Sequence, residues 1–442
     1  MYRALLKDLE EWKNSKKHKP LLLRGARQVG KSWLVKELGK SFPNFVEINF
    51  ESRPTLKKIF DDDLTPEHLI PRLSAAVKKP IIPGETLLFF DEIQQVPNAI
   101  TSLRYFYEEM PDLHVIGAGS LLEFAIEKIG IPVGRILSLY CYPLSFYEFM
   151  IATNNNQLAE LIEKSPENKA LDEPLHKQAL TLLAEYMAVG GMPEAVAEWI
   201  ESKNIMKCVK IHKSIIDTYR QDFGKYAKTS KIEYVDLVFN SIPHFTGRKF
   251  VFSHISDSIR SRELKPALEL LEKAGVVHRI CHSSGNGVPI AAEENPALFK
   301  VIPLDVGLMQ AGLNVNYSNW LVDPDQQFIN KGSVAEAFTG TELLAYSWPF
   351  ERKTLSYWVR ERHASKAEVD YLIEKNGEVV PVEVKSGNTG SLKSIELFLK
   401  EKTKSSYGLH ISSQPAGLKG KIKKIPLYAI WNISLTNNGS LQ

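Results

Sequence analysis

One stretch, Pro20 to Leu34, constrains the fold of this chain more than any other, and it reads PLLLRGARQVGKSWL. Its centre, Gly25 to Ser32, fits the pattern G-x-x-x-x-G-K-[ST]. An apolar run of strand length precedes it, and apolar residues at helical spacing follow it. Glycines let successive N–H groups face phosphate oxygens, and a helix N-terminus adds partial positive charge. The stretch therefore predicts an α/β domain with a parallel sheet and a phosphate-binding loop.

The pattern assigns a role to each polar side chain of this loop. Lys31 would reach the β- and γ-phosphates, and Ser32 would give its hydroxyl oxygen to Mg²⁺. ATP and Mg²⁺ are therefore the expected cofactors. Arg27 has two interpretations, solvation or contact with a phosphate, and the sequence does not separate them. The residues predicted to contact the nucleotide are Gly25, Ala26, Arg27, Gln28, Val29, Gly30, Lys31, Ser32 and Trp33.

A second apolar run, Leu87 to Phe90, ends in the acidic pair Asp91 and Glu92. A continuous apolar run is typical of a parallel strand that is covered on both faces. Acids at the carboxyl end of such a strand lie in the crevice where doubly wound sheets bind ligands. Asp91 would hold Mg²⁺ through water, and Glu92 would act as the general base that polarises the attacking water.

Two further residues are candidates for contact with the nucleotide. Ser120 follows the apolar run LHVI and would touch the γ-phosphate or the water, or else cap the next helix. Arg135 follows Gly134 and would act as an arginine finger in its own or a neighbouring subunit, or else form a surface salt bridge.

Motifs along nearly the whole chain match one family. They are GARQVGKS, LLFFDEIQ, GAGS, Gly134-Arg135, YPLSFYEF at 142–149 and GGMPEAV at 190–196. With these motifs in this order, the chain resembles the prokaryotic AAA+ ATPases that carry a C-terminal DUF4143 region. The resemblance implies a helical lid over about residues 146–200, and apolar spacing around Leu182 and Tyr186 agrees with helix there.

The middle of the chain, residues 201–315, has mostly helical patterns. Its last helix stops at Gly275, and Val276, Val277 and Ile280 then predict a strand. Helix, helix and strand are the outline of a winged-helix-like domain. Such a domain either binds DNA through basic residues or packs between larger domains, and the interleaved acids favour packing. The basic residues in question are Arg260, Arg262 and Lys265.

The last third predicts three strands, at Thr354 to Arg360, Glu368 to Glu374 and Glu378 to Lys385. Asn376-Gly377 between the last two is a strong hairpin signal, and a two-residue loop places Asp370 opposite Glu383. Facing carboxylates repel each other. A divalent cation between them would remove this repulsion.

These residues, together with Glu336 from the helix at Gly332 to Ala345, resemble the PD-(D/E)xK nuclease fold. By that resemblance Glu336, Asp370 and Glu383 would bind Mg²⁺. Asp370, Glu383 and Lys385 would then be catalytic, with Lys385 positioning water or offsetting phosphate charge. Two features depart from the pattern, Val369 in place of proline and Pro381 inside a strand. The alternative is a fold kept as a structural or binding module.

The sequence thus predicts an α/β chain of three domains. They are a P-loop ATPase domain with a helical lid at 1–200, a helical, winged-helix-like domain at 201–315 and a nuclease-like α/β domain at 316–442. Two functions remain open: an ATP-gated, DNA-directed enzyme, or a nucleotide switch that binds a protein partner through an inactive C-terminal domain.

Composition sets weak limits on partners. A net charge of +3 argues neither for nor against nucleic acid, so DNA remains a candidate partner beside a protein or a second copy of the chain. Three cysteines far apart in sequence fit a reducing cytosol, and no apolar run suits a membrane. The basic residues that favour DNA are Arg352, Lys353, Arg360, Arg362 and Lys366, followed by Lys419, Lys421, Lys423 and Lys424.

Overall fold

A computed structural model describes residues 1–130, 134–166, 169–226, 231–314, 321–322, 332–360, 367–386 and 392–433. The chain divides into two compact units. The first contains Met1–Tyr142, Lys273–Gly275 and Pro349–Arg352; the second contains Pro143–Glu272, Val276–Trp348 and Lys353–Gln442. The three predicted domains with their limits at 200 and 315 stay a prediction, and residue 315 itself lies outside the described ranges.

The first unit contains a five-stranded sheet in which every described pair of neighbours is parallel. The strands lie in the order β2-β3-β4-β1-β5. They are β1 (Leu21–Arg24), β2 (Asn44–Asn49), β3 (Thr86–Asp91), β4 (His114–Ala118) and β5 (Leu137–Tyr140). All residues of β1 and β3 are buried, which explains their unbroken apolar sequences. The predicted P-loop fold is therefore confirmed.

Five helices accompany this sheet within the described ranges. They are α1 (Leu5–Asn14), α2 (Lys31–Gly39), α3 (Pro66–Val77), α4 (Pro97–Glu109) and α5 (Leu122–Ile129). Helix α1 is amphipathic and buries Leu5, Leu9 and Trp12. The core beneath β2 and β3 is rich in aromatic rings, among them Phe50, Phe60 and Phe90.

The remaining described helices follow from residue 146 onward. They are α6 (Phe146–Ala152), α7 (Asn156–Lys164), α8 (Glu173–Val189), α9 (Pro193–Ser202), α10 (Ile205–Tyr226), α11 (Ile232–Phe245), α12 (Ser261–Lys273), α13 (Val306–Gly312), α14 (Gly332–Ala345) and α15 (Lys393–Glu401). Ser145 and Glu148 form a capping box that starts α6 within the PLSFYEF motif. No helix among these or the earlier ones is long and apolar enough to span a bilayer.

The second unit contains an eight-stranded mixed sheet in the order β12-β13-β11-β10-β9-β8-β6-β7. Its strands are β6 (Val277–Ser283), β7 (Glu294–Pro303), β8 (Leu355–Val359), β9 (Glu368–Lys375), β10 (Glu378–Val384), β11 (Gly408–Ser412), β12 (Gly417–Lys419) and β13 (Ile422–Pro426). The strand expected after the middle helices is β6. It pairs with β7 and also with β8, so the middle of the chain and its last third share one sheet.

The hairpin of β9 and β10 has the predicted register. Lys375 pairs with Glu378, and Tyr371 pairs with Val382, so Asp370 and Glu383 face each other at the next position. Pro381 stays within the ladder opposite Leu372 and does not shift it. The apolar run from Pro426 to Ile433 predicts a closing strand from the sequence, and that prediction is wrong. Strand β13 ends at Pro426, and the apolar residues that follow are buried as 3-10 turns at Leu427–Asn432.

Candidate functional site

The phosphate-binding loop runs from the end of β1 to the start of α2, and its glycines have backbone conformations that other residues rarely adopt. Gly25 has φ of +143° and Gly30 has φ of +94°. A Cβ on Gly25 would lie 2.2 Å from the carbonyl oxygen of Cys141. Alanine at Gly25 therefore requires both a strained φ and a displaced backbone, which explains why the loop needs glycine there.

Lys31 is buried inside the curve of this loop. Its Nζ donates hydrogen bonds to the carbonyl oxygens of Gly25, at 2.9 Å, and Ala26, at 2.6 Å. Burial lowers the pKa of the Lys31 ammonium, and the charges of Cys141, Glu92 and Asp91 oppose that shift. The ammonium is thus held at the loop by groups that phosphate oxygens could replace.

Ser32 and Asp91 lie in contact beside Lys31. The Ser32 hydroxyl donates to Asp91 Oδ1 at 3.0 Å, and Asn49 Nδ2 donates to Asp91 Oδ2 at 3.0 Å. A hydroxyl and a carboxylate are oxygen donors of the type that Mg²⁺ takes beside nucleotide phosphates, with water filling its other positions. The two residues therefore fit the predicted metal. Sequence reasoning missed Asn49, although its place at the end of β2, next to β3, was the available signal.

Glu92 follows β3 directly and has a left-handed backbone with φ of 53°. This conformation is costly for a residue with a side chain and is common at functional sites. Gln94 Nε2 donates to Glu92 Oε2 at 2.5 Å. Burial raises the pKa of Glu92, while the Gln94 hydrogen bond opposes the rise. A Cβ on Gly119 would lie 1.9 Å from Gln94 Oε1. The glycine of the GAGS motif therefore leaves room for Gln94, which in turn orients Glu92.

Ser120 lies at the carboxyl end of its strand, and Arg135 lies at the amino end of its strand. Ser120 is buried just beyond β4, which lies between β3 and β1. It does not cap α5, whose N-cap is Leu121. Arg135 precedes Leu137, which pairs with Leu21 at the amino end of β1, whereas the phosphate-binding loop follows the carboxyl end. The predicted contact of Arg135 with a nucleotide in the same chain is therefore not supported; a contact in a neighbouring subunit stays a prediction.

Arg135 forms the surface ion pair that was the alternative interpretation. Its Nε donates to Glu108 Oε1 at 2.8 Å, and this hydrogen bond raises the pKa of the exposed guanidinium. Arg27 in the loop lies 4.0 Å from Glu51, and Trp33 in the first turn of α2 is exposed.

Arg3, which lies outside the motif, stabilises the backbone of the phosphate-binding loop. Arg3 is buried, and its guanidinium donates to the carbonyl oxygens of Val29, at 2.8 Å, and Tyr142, at 2.7 Å. The thiol of Cys141 also donates to Val29 O, at 3.6 Å. The N-terminal segment thus fixes the backbone of the phosphate-binding loop. No local pattern signals this role, because the contact joins residues that are far apart in sequence.

The second unit gathers four acidic side chains, Glu336, Glu368, Asp370 and Glu383, which we call the carboxylate cluster. Lys385 Nζ lies 2.5 Å from Glu383 Oε1, as expected for two residues on one face of β10. Asp370 Oδ2 accepts a hydrogen bond of 2.8 Å from the Val384 amide, which fixes its position between the two strands.

The sequence did not predict Lys300, the central residue of this cluster. Its Nζ lies 2.9 Å from Glu336 Oε1, 2.5 Å from Glu368 Oε1 and 3.6 Å from Asp370 Oδ1. Burial acts to lower the pKa of Lys300, but the surrounding carboxylates outweigh this effect and raise the pKa well above its usual value. The ammonium therefore remains charged.

Two carboxyl groups of the cluster have a raised pKa. Burial raises the pKa of Glu336 to about 7, against the opposing charge of Lys300. Burial and the charge of Asp370 raise the pKa of Glu383 to about 7, against Lys385. In both residues the effect of burial on the pKa outweighs that of the neighbouring ammonium group.

The predicted magnesium site at Glu336, Asp370 and Glu383 does not fit this arrangement. Among the described residues, no group of three or more His, Cys, Asp or Glu side chains is placed to hold a metal ion. The physical reason is Lys300, because its ammonium contacts Glu336 and Asp370 where a cation between them would lie. The residues are close together as predicted, but around an ammonium.

The GGMPEAV motif, which has no predicted role, contacts Asp305. This buried residue caps α13 by accepting a 2.9 Å hydrogen bond from the Leu308 amide, and it accepts a 2.6 Å bond from the Gly191 amide. A Cβ on Gly190 would lie 2.4 Å from Asp305 Oδ1. The GGMPEAV motif and Asp305 are therefore packed and hydrogen-bonded to each other within the second unit.

The structure describes only some of the basic residues that favour DNA. Arg360 is engaged in an ion pair with Glu401 at 2.6 Å. Arg362 and Lys366 lie outside the described residues. Lys423 lies over the ring of Tyr407. These contacts leave DNA as a candidate partner.

Three family models match the sequence. An AAA domain covers residues 17–150, the domain of unknown function DUF8612 covers 180–319, and the domain of unknown function DUF4143 covers 331–430. No curated protein matches it.

Several solved structures are similar to this chain at low identity. The Walker-type ATPase PABY2304 of Pyrococcus abyssi is 18% identical over 70% of this chain and 94% of its own, with a TM-score of 0.43. The ORC1 protein of Aeropyrum pernix, solved in complex with DNA, is 15% identical over 72% of this chain and 93% of its own, with a TM-score of 0.29.

The matched regions coincide with the two sites. The phosphate-binding loop and the acids after β3 lie within the AAA domain, and the four carboxylates lie within the DUF4143 region. The chain therefore contains an AAA domain, which carries the phosphate-binding loop, and a C-terminal DUF4143 region.

Proposed function

We propose that this chain binds ATP with Mg²⁺ and hydrolyses it to ADP and phosphate in the first unit. The observation that carries the proposal is the contact of Ser32 with Asp91 beside the buried Lys31, at the carboxyl end of a parallel sheet. These three groups supply a metal-binding hydroxyl, an acid and a cation at one helix N-terminus, which is what phosphoryl transfer requires.

The roles follow from the positions of the side chains. The backbone amides of the loop would hold the phosphates, and Lys31 would exchange its bonds to Gly25 and Ala26 for bonds to phosphate oxygens. Mg²⁺, when bound, supplies charge compensation on the transferred phosphoryl group. The water oxygen would bond to the γ-phosphorus while the bond from that phosphorus to the β-phosphate oxygen breaks, so that ADP leaves. Glu92, held by Gln94, would accept the proton of the attacking water and then release it to solvent.

We expect the purified chain to release phosphate from ATP only when Mg²⁺ is present. EDTA should abolish the release, and Asp91→Asn should lower it about a hundredfold, because the amide leaves the metal with one fewer anionic partner. Asp62→Asn, at an exposed acid of the same unit, is the matched control and should behave as wild type. Phosphate release that persists in EDTA and in Asp91→Asn would contradict the proposal.

For the C-terminal region we propose the non-catalytic alternative, a platform for a protein partner that ATP binding or hydrolysis switches. What favours it over metal-dependent DNA cleavage is Lys300, whose ammonium lies among the carboxylates that a nuclease would use for Mg²⁺.

A cleavage assay separates these two functions. We expect no cut in single- or double-stranded DNA by the full chain with ATP and either Mg²⁺ or Mn²⁺. Asp370→Ala should give the same result, and it also serves as the control for contaminating nuclease. If wild type cleaves DNA and Asp370→Ala does not, the DNA-directed enzyme is the correct function.

A further inference from the structure

Arg27 and Glu51 form an ion pair between two loops that the first sheet holds apart. Arg27 lies in the phosphate-binding loop after β1, and Glu51 follows β2. In the strand order β2-β3-β4-β1-β5, two strands separate β1 from β2, which are therefore about 14 Å apart. Nevertheless, Arg27 Nη2 lies 4.0 Å from Glu51 Oε2. The ion pair must therefore cross the carboxyl ends of β3 and β4.

These strand ends carry the groups that would act on the γ-phosphate. Asp91 ends β3 and Glu92 follows it, while Ser120 lies just beyond β4. The crevice at the carboxyl ends of the strands is where doubly wound sheets bind ligands. The guanidinium of Arg27 therefore lies across the crevice in which a transferred phosphoryl group would lie.

The charge of Arg27 also acts on the two ionisable groups closest to this place. Burial lowers the pKa of Lys31, and the positive charge of Arg27 contributes to the lowering. Burial raises the pKa of Glu92, and the charge of Arg27 opposes the rise. The guanidinium is thus close to both the phosphate-binding ammonium and the general base.

The contact between Arg27 and Glu51 is of a kind that a phosphate can replace. The two side chains are 29% and 52% exposed, and ion pairs between exposed side chains contribute little to stability. The turn that carries Glu51 is fixed by Asn49, whose Oδ1 accepts hydrogen bonds from the amides of Glu51, at 3.0 Å, and Ser52, at 2.8 Å. A phosphate group offers oxygens to both arms of a guanidinium, which makes it a strong competitor for Arg27.

We propose that Arg27 is an arginine finger supplied in cis, whose guanidinium leaves Glu51 and donates hydrogen bonds to the γ-phosphoryl oxygens during transfer. The water oxygen bonds to the γ-phosphorus as the bond to the β-phosphate oxygen breaks, and the water proton passes to Glu92. Arg27 compensates the negative charge on the transferred group and on the leaving oxygen. The inference rests on the proposed ATP hydrolysis and gives to this loop the role predicted for Arg135 of a neighbouring subunit.

The test measures three properties of the full chain: affinity for ATP, phosphate release, and the complex with ADP and aluminium fluoride, which replaces the transferring phosphoryl group. Arginine fingers contribute about a thousandfold or more to kcat, so Arg27→Ala should lower kcat by about that factor. Its affinity for ATP should change far less, because the loop amides and Lys31 remain. Arg27→Ala should also fail to form the aluminium fluoride complex, and Arg27→Lys should behave similarly because lysine lacks the planar fork.

A change at Glu51 separates catalysis from a structural role of the ion pair. If the pair only stabilised the loop, Glu51→Gln and Arg27→Ala would have the same effect. We expect instead that Glu51→Gln keeps both kcat and the aluminium fluoride complex. Arg72→Ala, at an exposed arginine of α3, is the matched control and should behave as wild type.

A mixing experiment distinguishes action in cis from action between subunits. Lys31→Ala lacks its own nucleotide site but keeps Arg27, so it could supply that arginine to Arg27→Ala only from a neighbouring chain. We expect the mixture to release no more phosphate than the two variants do separately. Recovery of hydrolysis on mixing would overturn the assignment in cis.

The remaining outcomes also decide the inference. A folded Arg27→Ala that keeps kcat and the aluminium fluoride complex overturns it, and so does equal loss in Glu51→Gln. If Arg27→Ala does not fold, Arg27→Gln, which keeps a long polar side chain, decides by the same criteria. Wild-type chain that releases no phosphate contradicts the proposed function and this inference together, whereas hydrolysis that survives in Arg27→Ala contradicts this inference alone.

Discussion

Replacing Lys31 with alanine should remove ATP binding. The ammonium that lies against the loop carbonyls would no longer be available to the β- and γ-phosphates. Loss of one well-placed donor of this kind lowers phosphoryl-transfer activity by about a hundredfold to a thousandfold. Titration with a fluorescent ATP analogue measures the affinity, and phosphate release measures the activity.

Two controls accompany the Lys31 variant. Lys40→Ala changes an exposed lysine just past the end of α2 that pairs with Glu37, so it tests the loss of a charge near the same helix. Lys31→Met retains the volume of the buried stem, which separates nucleotide contact from packing. Circular dichroism melts show whether either Lys31 variant is unfolded. Unchanged nucleotide affinity in folded Lys31→Ala and Lys31→Met would refute the assignment of the loop.

Replacing Glu92 with glutamine should leave ATP bound but not hydrolysed. The amide has the shape of the acid and keeps a partner in Gln94, but it does not accept a proton from water. General-base catalysis contributes about a hundredfold to ten-thousandfold, so hydrolysis should fall by that factor while nucleotide affinity changes little. Glu109→Gln, at the exposed end of α4, is the matched control.

The pH profile gives an independent test of Glu92. Burial raises its pKa, and a base acts only when deprotonated, so kcat should fall as the pH falls through that raised pKa. The residual activity of Glu92→Gln should lack this acid limb. A profile that is the same in wild type and variant would show that another group accepts the proton.

Local signals carried most of what the sequence predicted. The loop pattern, the buried strand ending in Asp91 and the Asn376-Gly377 turn each depend on residues within one short stretch, and the structure has all three. The register of β9 and β10 follows from turn geometry alone. For the same reason Asp370 and Glu383 face each other as predicted.

The features that the sequence did not predict depend on contacts between residues that are far apart in the chain. Strands β6 and β7 form a local hairpin after helices, which is the outline of a winged helix, but only β8 decides that they join the large sheet. Lys300 reaches the carboxylates from that sheet's far edge, so no spacing rule connects it with Glu336. Arg3 was missed for the same reason, since its partners lie elsewhere in the chain.

The shared sheet sets a limit on how the last third of this chain can be cut or transplanted. A fragment confined to 331–430, the extent of the DUF4143 match, would lose β6 and β7. Strand β8 would then be an open edge, which favours pairing with other chains and aggregation. The fragment would also lack Lys300 and would carry four acidic groups without their main counter-ion. The boundaries of sequence homology here are therefore not the boundaries of an autonomous folding unit.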